Sequence, residues 1–366
     1  MISIKRGRVV SITSVRPGIT ELTVDVGGKV ARAINYDDLT GGVRVGEEVL
    51  LNTTAVALGL GSGGVHFVIA SLEGREKELA GKGHIMKLRY TPLQTRVLSV
   101  EEEDSPYRDI MTGADSLEGI PVLVGTLHSM LAPICAVLKE RAGSRIIYLM
   151  TDGASLPLAF SRTVSELKTK GLLDGTVTCG NAFGGDLEAV NVYSGMLAAR
   201  HVMQAEVIVA LMGPGIVGTG SRWGFTGVEQ GDILNAVATL GGNPIAIPRI
   251  SFADRRARHH GISHHTLTVL SRVCKIPCTV PLPALEEAKL RELLAQLTEF
   301  NLWPRYRFVL EDGSPVKACL DRHHLRVTTM GRGIDEDEEF FLTCGACAEV
   351  ARKLTRGEEL HVINAG

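Results

Sequence analysis

Residues 207–221 have the sequence VIVALMGPGIVGTGS, in which six uninterrupted apolar residues lead into a glycine-rich segment. An apolar run of this kind is typical of a strand that is buried on both faces of a parallel sheet. A helical pattern follows near 228–240, and a second apolar run follows at 244–248. This order of strand, helix and strand predicts a β-α-β unit with parallel strands.

The same alternation extends over residues 118–300. The apolar strand candidates are 120–125, 145–150, 175–179, 206–212, 244–248 and 278–281. The helix candidates between and after them are 127–141, 156–170, 186–203, 228–240, 263–274 and 285–299. We therefore predict an α/β fold, with a three-layer, mostly parallel, Rossmann-like sheet domain that has helices on both faces.

The flanking regions have different patterns. Residues 1–95 combine short runs rich in Val, Ile and Thr with glycine turns, which predicts a small β-barrel domain. That barrel could bind oligonucleotides or serve in packing or oligomerisation. We expect a linker at 96–117 and a C-terminal α+β extension at 301–366, packed on the α/β domain. In this extension we expect strands at 305–310 and 325–329 and a solvated acidic loop at 335–339.

Composition narrows the classes of protein. The net charge is −2 and aromatic residues make up 5% of the 366 residues, which disfavours binding to nucleic acid. No apolar run is long enough to span a membrane, and no apolar core follows the charged N-terminus as in a signal peptide. The seven cysteines are scattered and odd in number, which indicates free thiols and a cytoplasmic location. A homo-oligomer is compatible with all of this.

Polar residues concentrate in the loops that follow the predicted strands. In an open parallel sheet these loops lie along the carboxyl edge, where ligands bind. We therefore expect one edge to hold a set of acids and imidazoles, namely His128, Asp152, Asp186, Glu188, Glu229, Asp254, His259, His260, His264 and His265.

The glycine-rich loop after the predicted strand at 206–212 is a candidate anion site, because glycines expose backbone N–H groups. Its candidate anion-binding residues are Gly213, Gly215, Gly218, Thr219, Gly220, Ser221 and Arg222. The pattern G-x-G-x-x-G is present, but the helix starts late and no acid ends the next strand, which disfavours a dinucleotide. The alternative is a tight loop that needs positive φ angles.

The histidine group is a candidate for metal binding and for acid–base chemistry. We expect Asp254, His259 and His265 to be ligands of a divalent metal cofactor and His264 to be an acid–base group. No standard metal-binding spacing is present. The alternative is that these side chains cap the helix that begins near Ser263.

Three carboxylates are further catalytic candidates. Asp152, Asp186 and Glu188 follow predicted strands, so each could act as a general base or hold a metal ion. Asp186 alone could instead be a helix N-cap.

Several segments resemble a family of uncharacterised bacterial proteins that is catalogued as a domain of unknown function. The resemblance lies in Thr151-Asp152-Gly153-Ala154-Ser155-Leu156-Pro157 and in segments 83–94, 179–191, 213–220 and 248–266. It implies a bacterial, cytoplasmic setting and carries no activity, cofactor or catalytic residue.

These features together favour an enzyme, either a hydrolase or a transferase. Its ligand would be a small anion, such as a phosphorylated or nucleotide-like molecule, at the carboxyl edge of the sheet. One alternative is a ligand-sensing or scaffold protein without catalysis. A further alternative is RNA binding through the barrel.

Overall fold

The structure is a computed structural model that describes residues 1–60, 63–74, 76 and 78–364. The chain forms two compact units, Met1–Val97 and Leu98–Gly366. None of the described helices combines the length and the apolar character needed to cross a lipid bilayer.

The first unit is built around a closed barrel. Its elements are β1 (Ile4–Arg16), β2 (Ile19–Asp25), β3 (Val30–Tyr36), α1 (Asp37–Thr40), β4 (Glu48–Asn52), α2 (Thr54–Ala57), β5 (Val65–Ser71), β6 (Ile85–Lys87) and β7 (Thr95–Val97). The barrel has the strand order β1-β2-β3-β5-β4, which confirms the predicted small barrel. Its interior is filled by side chains such as Val9, Leu22, Val24 and Val49. Closure gives each of these strands two partners and so protects their edges.

The second unit contains a nine-stranded sheet. Its elements are α3 (Arg108–Gly113), β8 (Pro121–Val124), α4 (Leu131–Ala142), β9 (Ile146–Thr151), α5 (Arg162–Thr169), β10 (Gly175–Thr178), β11 (Leu187–Glu188), α6 (Val192–Leu197), β12 (Val207–Met212), α7 (Glu229–Thr239), β13 (Asn243–Ala246), β14 (Ile250–Ser251), β15 (Gly261–Ile262), α8 (His264–Thr268), β16 (Thr279–Pro283), α9 (Glu287–Glu299), β17 (Arg307–Glu311), α10 (Pro315–Arg322), α11 (Glu338–Thr355) and β18 (Val362–Ile363). The strand order is β11-β10-β9-β12-β8-β13-β16-β17-β18. All neighbouring strands are parallel except β17 and β18, so the prediction of a mostly parallel sheet is confirmed.

Helices cover both faces of this sheet. Successive residues of a strand point to opposite faces, so each face packs in a core of its own. In β12, Val209 packs in a core shared with α4, α5, α10 and α11. The next residue, Ala210, packs in a second core shared with α6, α7 and α9. Burial on both faces explains why the strand runs are apolar without interruption.

The connections diverge between the neighbouring strands β8 and β12. From β8 the chain passes through α4 to β9, and from β12 it passes through α7 to β13. Because α4 and α7 lie on opposite faces, the loops after β8 and β12 separate at the carboxyl edge. Ligands of open α/β sheets bind at points where neighbouring connections diverge in this way.

The predicted helix at 186–203 is wrong at its start. Leu187 and Glu188 form β11, which pairs with β10, and the helix α6 begins only at Val192. Asn191 caps this helix by accepting hydrogen bonds from the backbone N–H groups of Tyr193 and Ser194. A two-residue strand is too short to be recognised by its periodicity.

Two predictions in the C-terminal region are also wrong. Residues 325–329 form no strand, and only Thr329 makes an isolated bridge to Arg332. The acidic run at 335–339 is not a solvated loop throughout, because Asp337 is buried and accepts two hydrogen bonds from Arg332. An ion-pair partner lets a carboxylate be buried, and local composition does not reveal such a partner.

Segments 96–117 and 301–366, predicted as a linker and an extension, both contribute to the second unit. Val100, Met111 and Leu117 pack in the core on one face of the sheet. Residues 301–366 supply the strands β17 and β18 and the helix α11, whose Phe341 packs in the core on the other face.

Candidate functional site

A cavity of about 130 Å³ lies at the carboxyl edge of the sheet, where the loops after β12 and β13 meet. We call it the arginine pocket. Its walls are formed by Ile216, Gly218, Gly220, Arg249, Arg256, Arg258, His259, His265 and Met330. Sites for drug-sized ligands are roughly 300–1,000 Å³, so this cavity fits only a compact chemical group.

The hairpin of β14 and β15 positions most of the polar wall. The two strands pair in antiparallel register, so residues 252–260 form a loop that projects from the sheet edge. The backbone N–H of Arg249 donates to Thr266 Oγ1 over 3.0 Å, and the N–H of Ser263 donates to the Arg249 carbonyl over 2.8 Å. Both ends of the loop are therefore anchored.

Asp254 holds two of the pocket arginines in place. Its carboxylate accepts hydrogen bonds from Arg249 Nη2 over 2.9 Å and from Arg256 Nη2 over 2.7 Å. The hydrogen bonds from Arg256 hold the pKa of Asp254 well below its ordinary value. Arg332 lies 3.8 Å from the same carboxylate and pairs more closely with Asp337. Two carboxylates thus face three guanidinium groups.

A fourth guanidinium, that of Arg258, adds uncompensated positive charge. Arg258 is exposed and has no hydrogen-bond or ion-pair partner within the part of the chain that the structure describes. A Cβ atom placed on Gly220 would lie 3.6 Å from its guanidinium carbon, so the glycine loop and Arg258 are neighbours. Guanidinium groups bind carboxylate and phosphate oxygens through paired hydrogen bonds.

Three imidazoles lie together at this side of the pocket, and we call them the histidine cluster: His259 and His265, which line the cavity, and the adjacent His264. One ring nitrogen from each lies within 4.8 Å of the others. Burial lowers the pKa of His259 and His265 to about 3, so both rings are neutral at pH 7. The ring of His265 stacks on Phe225, with 4.0 Å between ring centroids.

The structure changes the expected grouping of these residues. His264, predicted as an acid–base group, lies with His259 and His265, which were predicted as metal ligands. Asp254 is instead engaged by Arg249 and Arg256. The helix α8 begins at His264 because Ser263 Oγ accepts from the N–H of His265 over 3.3 Å.

Only part of the predicted anion loop lines the arginine pocket. Gly218 and Gly220 lie in its wall, whereas Gly215 and Arg222 are exposed outside it. Gly213 contacts the backbone of the loop after β9 instead. The remaining pair, Thr219 and Ser221, bond to each other through their hydroxyl groups over 2.9 Å.

A second polar group lies after the neighbouring strand β9. Glu229 at the start of α7 accepts a 2.5 Å hydrogen bond from Thr151 Oγ1, and burial raises its pKa to about 7. The charge of Asp152 also raises this pKa. Asp152 is exposed and accepts from the N–H of Asn181 over 2.9 Å.

Asp186 and Glu188 lie apart from the arginine pocket. Asp186 accepts two 2.8 Å hydrogen bonds from Thr176, and Glu188 accepts from Thr178 Oγ1 over 2.8 Å. Their strand β11 is five positions from β13 in the sheet. At roughly 4.8 Å between strands, that separation is on the order of 24 Å. Asp186 is also not a helix N-cap, since a strand follows it.

His128 is half-buried after the carboxyl end of β8. Its ring nitrogens lie 3.1 Å from Tyr148 Oη and 2.7 Å from Ser161 Oγ. Burial lowers its pKa to about 4. Both nitrogens therefore have partners in the protein.

The residues of the pocket wall that the sequence interpretation did not predict are Ile216, Arg249, Arg256, Arg258 and Met330. The basic run Arg255-Arg256-Ala257-Arg258, within a loop already predicted to lie at the carboxyl edge, was the available signal for Arg256 and Arg258. No sequence pattern indicated Met330, which is distant in sequence from the other residues of the pocket wall.

A scan against family models matches residues 32–348 to DUF3866, described as a protein of unknown function. The chain belongs to the DUF3866 family. The DUF3866 match includes every residue that lines the arginine pocket and begins within β3. This confirms the expected resemblance to a domain of unknown function. No curated protein matches the chain.

Proposed function

We propose that this protein binds a small molecule through a phosphate or similar oxyanion in the arginine pocket and acts on it as a hydrolase or transferase. The observation that carries the proposal is the guanidinium of Arg258 beside Gly220, which has no partner among the described residues, in a wall that also contains Arg249 and Arg256. An excess of fixed positive charge in a concave site attracts anions.

The position of the pocket supports the same proposal. The loop after β12 supplies Gly218 and Gly220, and it departs where the connections of β8 and β12 diverge. We propose that the sheet is Rossmann-like in this respect, with its ligand at the divergence of the connections. Fold alone does not assign an activity, so the side chains must carry the chemical argument.

The volume of the pocket limits the ligand. About 130 Å³ admits an oxyanion but not a complete nucleotide, so the rest of the ligand must lie outside the cavity. The loop after β12, which supplies part of the pocket wall, also carries the exposed side chains of Val217 and Trp223. We propose that the ligand is a phosphorylated or nucleotide-like molecule whose organic part contacts this surface.

The histidine cluster, Asp152 after β9 and Glu229 at the start of α7 would supply the catalytic groups. His264 belongs to the histidine cluster beside the pocket, and we propose that it supplies either an acid–base group or a metal ligand. Asp152, which follows the strand next to β12, would act with Glu229 as a general base on the bound ligand. For Asp186 and Glu188 we propose only that they hold the loop between β10 and β11.

The cysteines support a cytoplasmic location, which we also propose. All seven are free and buried, as expected of thiols in a reducing compartment.

Calorimetric titration with inorganic phosphate tests the binding step. Arg258→Gln should raise the Kd for phosphate by roughly tenfold or more, because a hydrogen bond to a charged group contributes about 1.5–3 kcal/mol. Arg255→Gln is the matched control, since Arg255 is an exposed arginine in the same loop but lies outside the lining. Equal Kd values for the wild type and Arg258→Gln would refute the proposal.

Turnover separates the enzyme from a ligand sensor. A panel of phosphorylated small molecules is screened for stabilisation by thermal shift, because a ligand that binds only the folded state raises its stability. Each hit is then assayed for product. Asp152→Asn and His264→Ala should each abolish turnover, whereas hits that bind without reacting would establish a sensor.

A further inference from the structure

We propose that His259, His264 and His265 together bind one divalent transition-metal ion of the zinc type at the side of the arginine pocket that His259 and His265 line. Zinc sites that keep an open coordination position commonly use three protein ligands. His259 and His265 line the cavity, so the open position would face the ligand.

The geometry of the histidine cluster is close to that of such a site. One ring nitrogen from each residue lies within 4.8 Å of the others. Nitrogen ligands on a tetrahedral zinc ion are roughly 3.4 Å apart, given a Zn–N distance of about 2.05 Å. Small rotations of the three rings would therefore complete the coordination.

Two buried ring nitrogens in the cluster lack a hydrogen-bond partner among the described residues. They are Nε2 of His264 and Nδ1 of His265. The side chain of His265 is almost fully buried, since the residue is only 6% exposed. Buried polar atoms are normally paired, and each exception calls for an explanation. A metal ion bound by the cluster would satisfy these imidazoles.

Ser263 orients the ring of one proposed ligand and caps the helix that carries the other two. Its hydroxyl lies 2.7 Å from Nδ1 of His259 and also caps α8 at the N–H of His265. Arg249 Nη1 lies 3.5 Å from the same Nδ1. Nε2 of His259 has no hydrogen bond to any described residue, so this nitrogen would face the metal. Outer partners of this kind fix the tautomer and the direction of metal-binding histidines.

The nearby arginines make metal binding depend on an anion. The two carboxylates of Asp254 and Asp337 offset only part of the positive charge of the three arginines that they contact, namely Arg249, Arg256 and Arg332. Arg258 adds a further positive charge that has no partner among the described residues. A dication is therefore bound against residual positive charge unless an oxyanion occupies the arginine pocket. We expect each ligand to tighten the binding of the other, because such coupling is reciprocal. This coupling rests on the proposed function, whereas metal binding itself does not.

Metal binding is measured on the full chain after removal of metal with a chelator. Titration with Co²⁺ should give a visible absorption spectrum of a tetrahedral site that saturates at one ion per chain, and Zn²⁺ should displace it. His264→Gln and His265→Gln should each weaken binding by more than roughly 100-fold, because even loss of an outer partner costs 10–100-fold.

His260→Gln is the matched control. His260 is adjacent in sequence, half-buried and 3.5 Å from Glu292, and it lies outside the cluster. Circular dichroism checks that each variant is folded, and the less buried His264 keeps the test valid if His265→Gln does not fold. Failure to bind one ion per chain, or equal weakening in His260→Gln, would overturn the metal site.

Phosphate titrations distinguish this failure from failure of the proposed function. Arg258-dependent phosphate binding without stoichiometric metal would overturn the metal site and leave the anion site standing. Stoichiometric metal binding that His264→Gln removes, together with no phosphate binding with or without metal, would support the metal site and overturn the anion site.

Discussion

Replacing Asp254 by Ala should destabilise the second unit by about 3–5 kcal/mol, the usual cost of removing one partner of a buried ion pair. The Asp254 side chain is 3% exposed, and its partner Arg249 is 4% exposed. Without the carboxylate, Arg249 would remain as an unpaired buried charge. Arg256 is 41% exposed and can turn to solvent, so its lost contact adds little. Nearly all of the expected loss therefore comes from Arg249.

Urea denaturation followed by circular dichroism measures this change. Adding Arg249→Met to Asp254→Ala should restore part of the stability, because an apolar replacement of a buried ion pair is often close to neutral. A loss below about 1 kcal/mol in Asp254→Ala, or a further loss in the double variant, would refute the reasoning.

The acid dependence gives a second readout for Asp254. Its folded-state pKa is lowered by the hydrogen bonds from Arg256, while the unfolded value is about 3.9. The contribution of the carboxylate is therefore fully present above the unfolded pKa and is lost as the pH falls through the folded pKa. Asp254→Ala should lack this part of the acid-induced loss of stability.

Three further predictions concern other parts of the site. Burial raises the folded pKa of Glu229 to about 7, above an unfolded value near 4.3. The free energy of unfolding of the wild type should therefore decrease as the pH rises from about 4 to 7. Glu229→Gln should remove this decrease, as measured by urea denaturation at a series of pH values. Gly213→Ala should cost about 1–3 kcal/mol in thermal unfolding, because the new Cβ would lie 2.5 Å from the carbonyl oxygen of Ser155; an unchanged melting temperature would contradict this. Ser263→Ala should lower the free energy of unfolding by about 1 kcal/mol through loss of the α8 cap. It should also weaken metal binding about 10–100-fold, because Nδ1 of His259 loses its contact with the Ser263 hydroxyl. An unchanged Co²⁺ affinity would argue against this positioning role.

The parallel sheet could be predicted because its signal is local. Most strands from β8 to β16 that are longer than two residues are marked by an apolar run, and each main helix has its own pattern. The exception is β10, whose sequence is Gly-Thr-Val-Thr. The strand order could not be predicted, since β12 inserts between β8 and β9 through contacts that are distant in sequence. β11 was missed for a related reason, because its two residues are a strand only through pairing with β10.

The sequence predicted which loops come together, but not the contacts that their side chains make. The loops after β12 and β13 do meet at one edge, as parallel topology requires, and they bring Gly218, Gly220, His259 and His265 together. The partner of Asp254 could not be inferred from residue types, because a carboxylate near histidines is equally suited to a metal ion or to an arginine. The hairpin of β14 and β15 decides this by placing Arg249 and Arg256 against it.

The oxyanion site can be located by X-ray diffraction from crystals soaked in tungstate, a heavy-atom analogue of phosphate and sulfate. The anomalous difference map should contain a peak within hydrogen-bond distance of the Arg258 guanidinium, next to Gly218 and Gly220, and the same peak should be absent from Arg258→Gln crystals. Tungstate bound only elsewhere on the chain, or bound equally in the variant, would contradict the assignment of this pocket as an anion site.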